Sequence, residues 1–287
     1  MKKNIVWLAS YPKSGNTWFR MFLANYLSNS VTPVSLDEIE RTPIASSAED
    51  FEEISGLNPF ELTEDEVDLY RPDMYRFLSE NEDTEAGFLY KKTHDAYTCN
   101  AHKIPLFPKE VSKGAVYFIR NPLDVCVSYA NHSASKIERT VRFIVNEKAQ
   151  LAGKKSGQLR QQLFSWKNHI KSWQTQTEIP VHIVRYEDMK QNPIVVFGSI
   201  IRFLGLEYDE DRLKRAIINS DFKLLQQMEQ EKGFREKMQK CESFFWKGTT
   251  GNYREHLSET QIQELVAYNY DTMKEFGYID EQGNLTI

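Results

Sequence analysis

The stretch "WLASYPKSGNTWFR", Trp7 to Arg20, decides the fold. An apolar run ends in a short loop with a single glycine, Gly15, and helix-compatible sequence follows. In "NTWFRMFLANYLSN", Trp18, Phe22 and Tyr26 recur on one side with Phe19, Leu23 and Leu27 beside them, which is helical spacing. Strand, glycine loop and helix open a βαβ unit. A loop in that position presents backbone N–H groups at a helix N-terminus, where an anion is favoured. Lys13 adds a full charge, and Ser14, Asn16 and Thr17 add neutral donors. The order is not that of a Walker A loop, G-x-x-x-x-G-K-[ST], because Lys13 stands two residues ahead of Gly15. A strand-to-helix turn with an exposed lysine is the plain alternative, so the rest of the chain has to say what the loop holds.

The 287 residues suit one large α/β domain or two small ones, and 40% apolar with 13% aromatic residues supplies a core. Cys99, Cys126 and Cys241 are widely spaced, so neither a disulfide framework nor a C-x-x-C zinc pattern is available. This fits a reducing cytoplasm. The apolar part of "MKKNIVWLASYP" is too short for a signal peptide, and no run approaches the ~18 apolar residues of a membrane span. A net charge of −5 argues against general nucleic-acid binding. The charge is uneven, however: Asp37 to Glu85 holds 17 acids against 3 bases, which leaves the rest of the chain basic. The segment is either a solvated face or a wall that attracts a cationic acceptor.

After the first strand, "NIVWLAS", residues 30–86 are polar and acidic. They hold helical candidates in "SLDEIE" and "TEDEVDLYRPDMYRFLSE", which Ser35 and Thr63 can cap with a Glu three residues on. Further strands are expected at Gly87–Lys92, Gly114–Pro122 and Pro180–Met189. Helices are expected in "LDVCVSYANH", in "LFSWKNHIKSWQTQ" with Phe164, Ile170 and Trp173 in the core, and in "PIVVFGSIIRFLGL" from Pro193 to Gly205. Residues 229–246 read as a mobile, lid-like segment, and a last helix runs from the cap Ser258 to Gly277. Alternating strands and helices imply a single α/β domain over 1–287 with a central parallel sheet flanked by helices. Such sheets bind ligands at the carboxyl ends of their strands. Lys13, Lys92, His94, Arg120 and Tyr186 all fall near or just past the carboxyl ends of expected strands.

"SYPKSGNTW" resembles the 5′-phosphosulfate loop of the sulfotransferases that use 3′-phosphoadenosine 5′-phosphosulfate (PAPS). Four more stretches resemble family motifs in the family's order: "KKTHDAY", "FIRNPLDVCVSY", "VRYEDM" and "WKGTTGNYRE". Together they cover nearly the whole chain. The chain is most similar to the bacterial branch, which includes enzymes that sulfate glycopeptide antibiotics. The resemblance implies a P-loop nucleotide-kinase-like fold, PAPS as donor, adenosine 3′,5′-bisphosphate (PAP) as product and no metal. It implies His94 as general base, with Lys13 on the 5′-phosphate and bridging oxygen and Lys92 at the transferring group. Ser14, Gly15, Asn16 and Thr17 complete the loop. Arg120 and Ser128 hold the 3′-phosphate; Ser128 lies eight residues on, a little over two helical turns, so it points roughly the same way. Lys247 and Gly248 belong to the late phosphate loop, where Trp246 replaces a family arginine that Arg254 or Lys240 would have to replace. Trp18, Tyr186, Ser220 and Phe222 lie on the nucleotide-base side. Asp95 is a candidate to orient His94. The acceptor is expected to be a hydroxyl of a small molecule or natural product, bound by residues 30–86, 97–106, 131–160 and 229–246. The short dimer motif of the vertebrate branch is not reproduced in "REHLSETQIQE", so the oligomeric state stays open. An ATP-dependent small-molecule kinase and a nucleotide-binding module without catalysis are the competing readings.

Overall fold

Strand β1 (Ile5–Ser10) is buried along its whole length. Ile5, Trp7 and Ala9 enter one apolar core, and Val6 and Leu8 enter another. An unbroken apolar run is what a parallel strand covered on both faces requires. β1 pairs in parallel with β2 (Leu89–Thr93) on one side and β3 (Ser112–Ile119) on the other. A two-residue antiparallel pair, β4 (Gln150–Leu151) with β5 (Gln161–Gln162), stands apart. β6 (Val181–Arg185) completes the main sheet beside β3, giving the order β2-β1-β3-β6. The order reverses at β1, so its carboxyl end opens into the crevice where such sheets bind ligands. The computed structural model describes residues 1–151, 157–238, 240–241 and 243–286. Positions 152–156, 239 and 242, within stretches expected to face the acceptor, lie outside the described residues.

Helix α1 (Asn16–Ser28) lays Phe19, Phe22, Leu23 and Tyr26 on one face of the sheet. α2 (Ala48–Ser55), which the sequence reading does not anticipate, and α3 (Glu64–Asn81) cover the other face through Phe51, Val67, Met74 and Tyr75. Thr63 and Glu66 close a full capping box on α3; Ser35 caps a short 3-10 helix, Leu36–Arg41. α4 (Pro122–Ser133), α5 (Ile137–Ile144) and α6 (Trp166–Thr175) follow on the same face as α3. Phe164 does not join the core: its φ of 58° lies in the left-handed region, and Leu163 and Trp166 are buried instead. The last strand stops at Arg185, and Tyr186 begins α7 (Tyr186–Gln191), so the expected strand to Met189 is corrected. α8 (Pro193–Leu204) ends on Gly205 as the sequence implies. α9 (Glu210–Asn219) and α10 (Phe222–Lys232) precede the late loop, and α11 (Glu259–Glu275) starts at the Ser258 capping box. Residues 229–232, assigned to the lid-like segment, are thus the end of a helix. Beyond them Phe234 and Phe245 pack into a third apolar cluster with Met21, Leu36, Ile39 and Leu225.

Many charges of the acidic segment are neutralised locally. Asp68 takes Arg71 and Arg160, Glu82 takes Lys91, and Arg41 bridges Glu38 and Glu85. Lys91 and Arg160 from outside the segment thus join its own Arg41 and Arg71, which supports the paired, solvated face over a wall for cations.

Candidate active site

The loop after β1 turns on two left-handed residues, Lys13 (φ 67°) and Gly15 (φ 96°). Left-handed backbone suits glycine, which has no Cβ to clash. A Cβ on Gly15 would also come within 2.7 Å of the Tyr186 ring, so this position is closed to other residues twice over. The Ser14 hydroxyl is buried inside the loop without a partner. Asn16 does not face the anion position. Its amide donates to the Leu8 carbonyl (2.8 Å) and to Ser10 Oγ (3.1 Å), so the side chain ties α1 to β1. The Nδ2 donor is thus satisfied at the strand end, while Oδ1 is buried without a partner. The Lys13 ammonium lies 4.1 Å from the centre of the Phe244 ring, and burial lowers its pKa to about 8.

His94 sits just past β2. Its Nδ1 is 2.8 Å from the Ser10 carbonyl and 3.3 Å from Ser10 Oγ. A carbonyl only accepts, so Nδ1 carries the proton and Nε2 carries the lone pair. Burial, reinforced by the nearby Lys92 charge, lowers the imidazole pKa to about 3, which keeps the ring neutral. Asp95 is not the group that orients it. That carboxylate is fully buried and turned to Arg71 (2.6 Å) and the Gln162 N–H (2.9 Å). Ser10 takes the orienting role, and His169 holds the backbone through Nε2 to the His94 carbonyl (3.0 Å). His132, on α4, places its ring edge-on to Phe244 at 5.6 Å and buries an unpartnered Nδ1. It is a second histidine beside the site that the motif reading passes over.

Three of these rings bear on stability. Burial lowers His94 and His132 to about 3 and His169 to about 4, each from 6.5. Between those folded values and 6.5 the unfolded chain binds more protons than the folded one, so stability rises with pH there. The contribution is complete above pH 6.5 and is lost on acidification toward pH 3, His169 completing its part near pH 4. Urea midpoints measured across this window are expected to fall steadily as pH falls, and a flat profile would contradict the neutral, buried state of the rings.

Lys92 Nζ contacts Glu236 Oε2 at 3.0 Å, and the opposite carboxylate oxygen takes Arg20 Nη1 at 2.6 Å. Thr17 Oγ1 donates weakly to the same carboxylate at 3.5 Å. Neither Arg20 nor Glu236 is marked by a motif. Arg20 looks like an ordinary basic residue of an amphipathic helix, and Glu236 lies in a charged stretch without periodicity.

Arg120 follows β3. It donates to the carbonyls of Lys13 (3.1 Å) and Thr249 (2.9 Å), lies over the Tyr186 ring and keeps a buried, unpartnered Nε. Arg120 makes no pair with Asp124, four residues on. Asp124 instead accepts from the N–H groups of Gly251 (2.8 Å) and Tyr253 (3.0 Å), fastening the late loop to the start of α4. Ser128 is half-buried two turns along that helix. Lys247 is engaged with Asn252, Glu255 and His256. Gly248 (φ 62°) sits so close to Phe222 that a Cβ would meet its ring at 2.6 Å. Trp246 packs against His256 at 5.5 Å, while Arg254 stacks on Tyr253.

Trp18 and Phe222 face a shared space on the far side of the loop. The Lys190 ammonium fills it, 5.3 Å from the Trp18 ring and 5.7 Å from the Phe222 ring. Tyr186 meets Trp18 edge-on at 6.0 Å. Ser220 is buried, and its hydroxyl donates to the Ala216 carbonyl at 2.7 Å while its carbonyl accepts from Trp18 Nε1 at 2.9 Å. The Ser220 hydroxyl therefore keeps only acceptor capacity. Lys190 is a further cation that sequence reading missed, since "YEDMK" reads as the end of a strand.

The chain thus gathers Lys13, Lys92, Arg20, Arg120 and Lys190 around a glycine loop, with a neutral imidazole beside them. Two groups aimed into this cluster, Ser14 Oγ and Arg120 Nε, are buried without partners, as a site for anionic groups would leave them. Among the described residues no group of three or more His, Cys, Asp and Glu side chains is placed to hold a metal ion. No helix among them is long and apolar enough to cross a membrane.

A family model for the sulfotransferase domain matches residues 3–277. Luciferin sulfotransferase of Photinus pyralis is 23% identical, over 96% of this chain and 73% of its own length. Sulfotransferase 1B1 of Mus musculus is 25% identical, over 91% of this chain and 79% of its own length. Among solved structures, retinol dehydratase in complex with androsterone and PAP superimposes with a TM-score of 0.61 at 18% identity, covering 96% of this chain and 82% of that one. Mouse sulfotransferase SULT7A1 complexed with PAP gives a TM-score of 0.59 at 17% identity, covering 96% and 86%.

Proposed function

The chain belongs to the sulfotransferase domain family, and on that premise we propose that it transfers a sulfuryl group from PAPS to a hydroxyl of a small-molecule acceptor, releasing PAP. One observation carries the reading to these residues: the lone pair of a neutral imidazole, His94 Nε2, lies at the same sheet end as Lys92 and the Lys13 loop. PAPS supplies the activated sulfuryl group and a phosphate leaving group when bound. The backbone N–H groups of Ser14 to Thr17, with Lys13 and the Ser14 and Thr17 hydroxyls, take the 5′-phosphosulfate. Asn16 serves through its backbone alone. Arg120, whose planar fork suits a phosphate, takes the 3′-phosphate with Ser128, Lys247 and Gly248. Trp18, Tyr186 and Phe222 offer rings to the base, and the Ser220 hydroxyl accepts from it, with Lys190 moving aside.

His94 removes the acceptor proton at Nε2, while the Ser10 carbonyl holds the opposite nitrogen and so fixes the ring plane. Lys13 and the loop amides stabilise charge on the leaving side, and Lys92 stabilises the transferring group. Little covalent work falls to the protein, so positioning and electrostatics dominate. Retinol dehydratase, similar in fold, is solved with androsterone and PAP and with retinol and PAP, which supports a small-molecule alcohol as acceptor. A cytoplasmic site of action is supported by the relative named cytosolic sulfotransferase 1 of Arabidopsis thaliana, 26% identical over 90% of this chain.

The test is a thermal-shift comparison of PAP, ADP and ATP with Mg²⁺. PAP at 100 times its dissociation constant is expected to stabilise the fold by about 2.7 kcal/mol and to exceed the other two at equal concentration. Stronger stabilisation by ATP with Mg²⁺ would overturn the donor assignment in favour of a kinase.

A further inference from the structure

We propose that Glu236 is a positioning residue of the transfer site, the resident counter-ion that fixes the Lys92 ammonium at the reacting end of the donor loop. The inference rests on the sulfuryl-transfer reading for the meaning of Lys92, and on geometry alone for the contact itself.

Arg20 is the anchor. Its side chain is 2% exposed, and three of its N–H contacts are already committed to Thr42 Oγ1 (2.7 Å), the Ile39 carbonyl (3.0 Å) and the Thr42 carbonyl (2.8 Å). A guanidinium so held cannot turn, and its remaining nitrogen reaches Glu236 Oε1 at 2.6 Å. Phe234, two residues earlier, is packed among Met21, Leu36 and Ile39, so the backbone that carries the carboxylate is also fixed. Oε2 is then aimed at Lys92 Nζ (3.0 Å). A lysine stem has four rotatable carbons and a point charge, so without a partner its head has no defined place. Burial works against the Lys92 charge and Glu236 works for it. The same cations keep the Glu236 carboxylate strongly ionised, so it does not serve as a base. Lys13, Lys92 and Arg20 against one carboxylate leave a net positive site, as an anionic donor needs. The long Thr17 contact is the one a bound phosphosulfate takes over, while the two short contacts stay.

Three measurements test this on Glu236→Gln and Glu236→Asp. At saturating donor, kcat of Glu236→Gln is expected to fall about ten- to hundred-fold through misplacement of Lys92, with partial recovery in Glu236→Asp. Affinity for PAP is expected to hold or tighten, since a negative charge has left an anion site. Lys92, deprived of the carboxylate that keeps it protonated, is expected to be acylated several-fold faster by an amine-reactive ester, read by peptide mass spectrometry. Unchanged kcat and unchanged Lys92 labelling would overturn the proposal. So would a loss of PAP affinity in proportion to kcat, which marks a purely structural role. If the wild-type chain neither binds PAP nor transfers sulfate, the sulfuryl-transfer reading fails, and Lys92 labelling still decides the contact. If Glu236→Gln does not fold, Glu236→Asp alone must show the drop in kcat and the faster labelling.

Discussion

His94→Ala is expected to lower turnover by about 10²–10⁴-fold, the range a positioned general base supplies, while PAP affinity changes by no more than about three-fold. The split follows from the geometry. The imidazole is held through Nδ1 by Ser10, so in the proposed reaction its removal takes away proton transfer and leaves the glycine loop in place. Initial rates at saturating donor, with calorimetric titration of PAP, measure both halves. Residual turnover above about a tenth of wild type would place the base elsewhere, and His132, across the Phe244 ring, would be the next group to replace.

Arg71→Met is expected to cost about 3–5 kcal/mol of unfolding free energy, read from urea denaturation. Arg71 is completely buried and reaches Asp95 at 2.6 Å, Asp68 at 3.2 Å and the Arg160 carbonyl at 3.1 Å. Removing the cation leaves Asp95 with its charge buried and uncompensated, and Asp95 adjoins His94 in the chain. Replacing Arg71 and Asp95 together by apolar residues is expected to cost less than the single change, because the stranded charge goes with its partner. Equal or greater loss in the double variant would show that the pair itself carries the stability.

The two central strands were legible because "IVWLA" and "VYFI" are unbroken apolar runs, as a doubly covered sheet requires. Their ends gave the neighbourhood of the candidate site, since a parallel sheet sends every following loop to the same side. Side-chain direction was not legible. Asp95 is next to His94, but consecutive residues at a strand end point apart, and the carboxylate went to a buried arginine. Asn16 sits inside a polar loop motif, yet burial turned it to the strand. Arg20 and Glu236 are 216 positions apart, and nothing local in either stretch announces the other. Such meetings are set by tertiary packing, which a single sequence does not display.

The fastening of the late loop by Asp124 also sets an order of assembly. Asp124 reaches Gly251 across 127 residues, and Arg120 reaches Thr249 across 129. The partners of β1 are complete once β3 has been made, but the half of the site built from Arg120 and Gly248 waits until residues 127 to 129 positions further on have been made. Contacts of such long separation form late, after their loop-closure entropy has been met. A ribosome-bound chain stopped before Gly248 therefore carries the strands of the sheet and the first anion loop while the second half of the site, from Gly248 to Gly251, is still missing.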